Sequence, residues 1–295
     1  MGAGIAYVFA MAGWDTTVVE PDDARALSLR TTIERAAEQA LARGKLTTAQ
    51  ASGIPGSVQR VRAVADLDVG LGLVVETVPE RLELKQTVLH EVEQRRPELI
   101  ATNTSALSID VLSAGMADPG TFIGMHFFNP VWSLPMVELV RGVGTTDATV
   151  SRAQQIAGSI GKETITVRDA PGFATSRLDL IASLEAMRML EDRVASADDI
   201  DRAMVIAYRH PIGPLRLSDI VGLDVRLDIA RNLAATLGDR YAPPRILQEK
   251  VAAGDLGQKT GHGFFDWPDV IGSEQSDVVI PNFIAKRSLE LPKSY

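Results

Sequence analysis

Cysteine is absent from the sequence. That single absence excludes disulfides, thiolate metal sites and a cysteine nucleophile. No apolar run reaches the roughly 18 residues that a spanning helix needs, so the expectation is that nothing crosses a membrane. No basic, apolar, small-residue leader opens the chain, and a cytoplasmic protein is expected. Positive charge is also in deficit, with 30 Lys and Arg against 38 Asp and Glu, a net charge of −8 and a pI near 5.1. Such a balance argues against nucleic acid as a partner. What is present suffices for two domains: 295 residues, 45% of them hydrophobic, can bury sizeable cores.

The chain opens on glycines, Met1-Gly2-Ala3-Gly4, and runs into an apolar helix that ends near Gly13. Thr16 to Glu20 then reads as a β-branched strand with a carboxylate at its carboxyl end. A helix followed by such a strand is the later part of a dinucleotide-binding βαβ unit. Glu20 in that place bonds the adenosine ribose hydroxyls and repels a 2′-phosphate, favouring NAD; taken alone, it reads as a solvated strand-end carboxylate. A complete G-x-G-x-x-G is lacking. Gly2 aligns with its third glycine, Gly4 follows on the cofactor side, and the first strand with its two turn glycines would fall upstream of Met1. That strand is central in such a sheet, so weak NAD binding is expected of the chain as it stands.

Residues 23–63 are expected to be helical, with a turn at Gly44-Lys45 and Thr47 or Thr48 capping the second helix. Leu71 to Glu80 reads as a buried strand and its loop, Arg81 to Gln94 as a helix, and Leu99 to Thr102 as a strand delivering Asn103, Thr104 and Ser105 at its carboxyl end. Ligands sit at those ends in open α/β sheets. The alternation predicts a Rossmann-like, doubly wound, mostly parallel sheet whose first strand is missing.

Two apolar runs follow, each carrying one polar group: His126 within Met125 to Phe128, and Glu138 within Met136 to Val140. Both read as short buried strands joined by a proline-containing loop. A carboxylate buried in a strand needs a partner. Paired with His126, Glu138 fixes the imidazole tautomer and leaves the other ring nitrogen to accept a proton near neutral pH. The alternative is a core histidine satisfied by a nearby carbonyl. Beyond about residue 171 the spacing turns helical: 178–195, a helix capped by Ser196, and helices near 225–238 and 244–253 predict an all-α domain.

MGAGIA, VVETVPERLELK, ATNTSALSI, GMHFFNPV, LPMVELVRG, DAPGF, HPIGPLRLSDIVGLD and GQKTGHGFFDW together resemble the L-3-hydroxyacyl-CoA dehydrogenases, of the 3-hydroxybutyryl-CoA dehydrogenase type. The resemblance runs from Met1 to about Trp267. It implies an NAD-dependent oxidoreductase that interconverts (S)-3-hydroxyacyl-CoA and 3-oxoacyl-CoA. Residues 1–170 would form the NAD-binding domain with a helical hairpin insertion, 171–267 an all-α substrate and dimerisation domain, and 268–295 a tail beyond the family pattern. It further implies an acyl-CoA substrate, a homodimer and no metal. By the same resemblance His126 is the base, Glu138 its orienting partner and Ser105 a hydrogen-bond donor to the substrate oxygen. Asn103 falls near the nicotinamide, while Glu80 and Lys85 lie on the cofactor side. One departure stands out: where the family has Asn after Pro-Gly-Phe, this chain has Ser176, a shorter group with one donor. That keeps two rivals open, an L-gulonate-type hydroxy-acid dehydrogenase and a catalytically impaired member acting as a binding subunit.

Overall fold

The structure, a computed structural model, describes residues 1–267; the expectation of a separate tail at 268–295 lies outside the described residues. The chain divides into a unit from Met1 to Phe173 and a second that starts at Ala174.

The first unit begins with α1 (Gly2–Met11), buried from Gly4 to Ala10. A helix apolar on every side is stable only inside a core. Gly13, at φ 82°, turns the chain out of it, a conformation glycine adopts without steric cost. The β-branched β1 (Thr16–Val19) follows. Next, α2 (Asp23–Ala42) is capped by Asp22, whose carboxylate accepts from the Arg25 N–H. A turn at Gly44 leads to α3 (Thr48–Ser57), where Thr47 and Gln50 form a reciprocal capping box, as the Thr-x-x-Gln spacing predicts. The helical expectation for 23–63 fails at its end. Val58–Val61 is β2, paired in parallel with β1 from Thr16↔Val58 to Val19↔Val61. Pro55 removes one helical donor, and β-branched Val58 and Val61 flank Gln59 and Arg60 in a stretch too short for a local strand pattern to show.

A five-stranded sheet carries the remainder: β3 (Val74–Glu76), β4 (Ile100–Thr102), β5 (Phe122–Phe127), β6 (Met136–Arg141) and β7 (Glu163–Arg168), adjacent in that order. Every pairing is parallel except β5 with β6. Helices α4 (Leu82–Glu93), α5 (Ile109–Ser113) and α6 (Asp147–Ser159) make the connections. The mostly parallel, doubly wound character expected from the alternation is present. Its core is continuous and apolar, with Leu99, Ala101, Ile123, Met125, Val137 and Leu139 all inaccessible.

The second unit is helical: α7 (Thr175–Glu191), α8 (Ala197–Ala207), α9 (Pro214–Val221), α10 (Leu223–Leu237) and α11 (Arg245–Ala253). Ser196 caps α8 through the Asp199 N–H, as its position predicts. Leu180, Leu184, Met187, Leu215, Leu223 and Leu247 form the buried centre. Two buried carboxylates tie it together. Asp201 accepts from the N–H groups of Leu215 and Arg216 at 2.8 and 2.9 Å, satisfying the start of α9. Asp219 accepts from Phe264 N, Phe265 N and Trp267 Nε1 at 2.8, 2.9 and 3.0 Å, so the Gly-Phe-Phe segment closes over α9. Burial pushes both carboxyls up from the ordinary range. Among the described residues no helix is long and apolar enough to cross a membrane.

Candidate active site

β5 and β6 lie side by side with His126 directly opposite Glu138. The imidazole Nδ1 meets Glu138 Oε2 at 3.0 Å. Glu138 is fully buried and His126 is 7% exposed. Since the carboxylate only accepts, Nδ1 carries the hydrogen and donates it, leaving the lone pair on Nε2. Phe128 and Phe173 flank the ring, with centroids 4.5 and 6.0 Å from that of His126. The partner of Nδ1 is thus a carboxylate rather than a backbone carbonyl.

Asn103 follows β4, the parallel neighbour of β5. Its Oδ1 accepts from the Phe127 N–H at 2.8 Å, and its own N–H donates to Glu76 O at 2.8 Å. The Asn103–Ser105 loop is thus stitched to the strand bearing His126. Glu80 holds the same loop from the other side: its Oε1 accepts from Ser105 N at 3.0 Å, Ala106 N at 3.1 Å and the Thr104 hydroxyl. Burial raises the Glu80 carboxyl, but the Thr104 hydrogen bond, the Lys85 charge and the two backbone donors outweigh it and leave the pKa below the usual range.

Lys85 has 1% of its surface exposed and directs Nζ at Glu76 Oε1 and Oε2, at 2.9 and 3.0 Å, and at Val78 O at 3.0 Å. Its ammonium also lies 3.3 Å from Glu80 Oε2. Glu76 also accepts from the Thr102 hydroxyl at 2.7 Å. Sequence reasoning passed over Glu76 and Thr102. The signal for Glu76 was an acid in an apolar strand, the same pattern that singled out Glu138.

Gly2 and Gly4 occupy the first turn of α1. A Cβ on Gly2 would stand 3.0 Å from Thr77 Oγ1, so the start of the helix lies against the carboxyl end of β3. One on Gly4 would stand 2.9 Å from Val131 Cγ2. Glu20 lies at the carboxyl end of β1, where its Oε1 accepts from Asp22 N at 2.9 Å and Arg25 Nε at 3.0 Å. Ser176 lies in the first turn of α7, in the second unit. Among the described residues no cluster of His, Asp and Glu is arranged to hold a metal ion.

The 3-hydroxyacyl-CoA dehydrogenase NAD binding domain matches residues 1–170, and the C-terminal domain of the same family matches residues 172–267. The chain belongs to the 3-hydroxyacyl-CoA dehydrogenase family. It is an NAD-dependent oxidoreductase. A 3-hydroxybutyryl-CoA dehydrogenase from Mycobacterium tuberculosis strain H37Rv is 37% identical over 272 residues, spanning 90% of this chain and 95% of that one. The crystal structure of (S)-3-hydroxybutyryl-CoA dehydrogenase PaaH1 from Ralstonia eutropha superposes with a TM-score of 0.85 at 35% identity, over 90% of this chain and 95% of that one. FHMPC 5-dehydrogenase, an NAD+ dependent dismutase acting on a pyridine 4-carboxylic acid, matches with a TM-score of 0.72 at 30% identity, over 90% and 87% of the two chains.

The residues present fit NAD. An uncapped helix start with glycines in its first turn faces the carboxyl edge of the sheet, where backbone N–H groups and the helix dipole suit a pyrophosphate. Glu20 stands at the strand end where a carboxylate serves a ribose.

Proposed function

We propose that this dehydrogenase interconverts short-chain (S)-3-hydroxyacyl-CoA and 3-oxoacyl-CoA, with 3-hydroxybutyryl-CoA as the representative substrate. The observation that carries the reading is the His126–Glu138 pair, buried, in register and holding the tautomer that a base requires. When bound, NAD accepts the hydride from C3. The Nε2 of His126 takes the 3-hydroxyl proton, a role worth about 10²–10⁴ in rate. Glu138 holds Nδ1–H and favours the imidazolium that results. Ser105 and Ser176 donate to the substrate oxygen. Asn103 lies at the nicotinamide, with its Oδ1 committed to Phe127. Glu80 and Lys85 fix the loop that carries Asn103 and Ser105. Gly2, Gly4 and Glu20 serve the pyrophosphate and ribose. In this reading residues 1–170 bind NAD, 171–267 bind the acyl-CoA and dimerise, and the protein works as a homodimer in the cytoplasm.

Ser176 supports a second reading, a hydroxy-acid substrate without CoA, and the similarity to FHMPC 5-dehydrogenase accords with it. NADH oxidation assayed with acetoacetyl-CoA, with longer 3-oxoacyl-CoAs and with oxo acids lacking CoA separates the two. Turnover fastest on acetoacetyl-CoA is expected. Turnover confined to the free oxo acids would replace the first reading by the second.

A further inference from the structure

Lys162 has no part in the roles assigned above. It lies between α6 and β7 and is 9% exposed. A buried ammonium is costly unless its donors are taken. Its Nζ donates to Val131 O and Leu134 O, both at 2.5 Å, and the next residue, Glu163, donates its N–H to Pro135 O at 2.7 Å. All three acceptors belong to the segment between β5 and β6, the stretch that separates His126 from Glu138. Pro130 and Pro135 leave that segment short of N–H donors while its carbonyls still need partners. One ammonium can serve several carbonyls where a backbone N–H serves one.

The same segment touches α1. Val131 Cγ2 and Cβ stand 2.9 and 3.1 Å from the position a Cβ on Gly4 would take. The rings of Trp132 and Tyr7 meet edge to face at 6.0 Å. Only a glycine admits so close an approach at the fourth position, and the approach holds only while something keeps the segment in place. Burial, and then the Lys45 ammonium, pull the Lys162 pKa below the ordinary lysine range.

We infer that Lys162 is a positioning residue for hydride transfer: it pins the β5–β6 segment against α1 and so sets where His126 stands relative to the helix that opens the NAD site. The inference rests on His126 acting as the base. Reacting groups tolerate little displacement, since a misplacement of about 1 Å can cost roughly 10²-fold in rate.

The test replaces Lys162 by Met, similar in length and uncharged, and by Arg, which keeps the charge. Fluorine NMR of protein labelled with 5-fluorotryptophan reports on Trp132, assigned through Trp132→Phe, with Trp267 as the reference. In Lys162→Met the Trp132 resonance is expected to shift or broaden while that of Trp267 stays in place. kcat with acetoacetyl-CoA should fall about 10- to 100-fold with KM for acetoacetyl-CoA nearly unchanged, and Lys162→Arg should recover most of the loss. A shifted resonance with unchanged kcat would make Lys162 a stability residue only and overturn the inference. A lowered kcat with an unmoved Trp132 resonance would overturn the route through the segment. If Lys162→Met does not fold, Lys162→Gln, which retains an amide donor, is read by the same criteria. Full activity of His126→Gln, or an inactive wild type, would remove the proposed function itself and this inference with it.

Discussion

Replacing Glu138 by Gln changes one atom of a fully buried side chain, in contact with His126 at 3.0 Å. Two losses follow. The glutamine can turn its NH2 toward Nδ1, which then accepts, so the hydrogen moves to Nε2 and the base loses its lone pair. The imidazolium formed on proton transfer also loses its counter-charge. Two unit charges about 4 Å apart at an effective dielectric of about 20 attract by about 4 kcal/mol, while a hydrogen bond to a charged group contributes about 1.5–3 kcal/mol net. At about 1.4 kcal/mol per factor of ten, kcat should fall between 10- and 1000-fold. The volume is conserved and the strand register is set by backbone pairing, so the far-ultraviolet circular dichroism should match wild type. The assay is NADH oxidation with saturating acetoacetyl-CoA. A folded Glu138→Gln with kcat within a few-fold of wild type would refute the claim that the carboxylate orients and charges the imidazole.

Three further outcomes are expected. On the proposed reading, Ser176→Asn supplies an amide donor to the substrate oxygen, where one such donor is worth on the order of 3–4 kcal/mol; it should raise kcat on acetoacetyl-CoA, and an unchanged or lowered kcat would mean the site is built for another substrate. Lys85→Met leaves the Glu76 carboxylate buried without its cation, so denaturant unfolding should report a loss of roughly 3–5 kcal/mol. Asp219→Asn keeps one of the two oxygens that accept from Phe264 N, Phe265 N and Trp267 Nε1 and turns the other into an NH2 donor facing N–H, and it should lower thermal stability by about 2–3 kcal/mol at neutral pH. In the wild type the folded Asp219 carboxyl lies above its unfolded value because of burial. It therefore opposes folding increasingly as pH rises from the ordinary carboxylate range through the folded value. That component of the stability-versus-pH slope should vanish in the asparagine variant.

The His126–Glu138 pairing was legible because both partners interrupt short apolar runs, and a buried acid demands a partner nearby. The helical second unit was legible for a related reason: the Ser196 cap and the three-to-four spacing are local signals. Val58–Val61 escaped because only its pairing with Thr16–Val19, some forty residues earlier in sequence, makes that short stretch a strand. The family resemblance puts Lys85 on the cofactor side, and only the fold shows that its ammonium is occupied by Glu76, nine positions away and on a different element. Lys162 carries no sequence signal at all. Its partners are carbonyl oxygens, which every residue possesses, so nothing in the side-chain pattern marks them.

The central claim is that His126 removes the hydroxyl proton as hydride departs. Single-turnover reduction of NAD by saturating (S)-3-hydroxybutyryl-CoA, followed in stopped flow for wild type and His126→Gln, tests it most directly. The account predicts a rate lower by about 10²–10⁴ in the variant with substrate affinity retained. Equal single-turnover rates in the two proteins would contradict it.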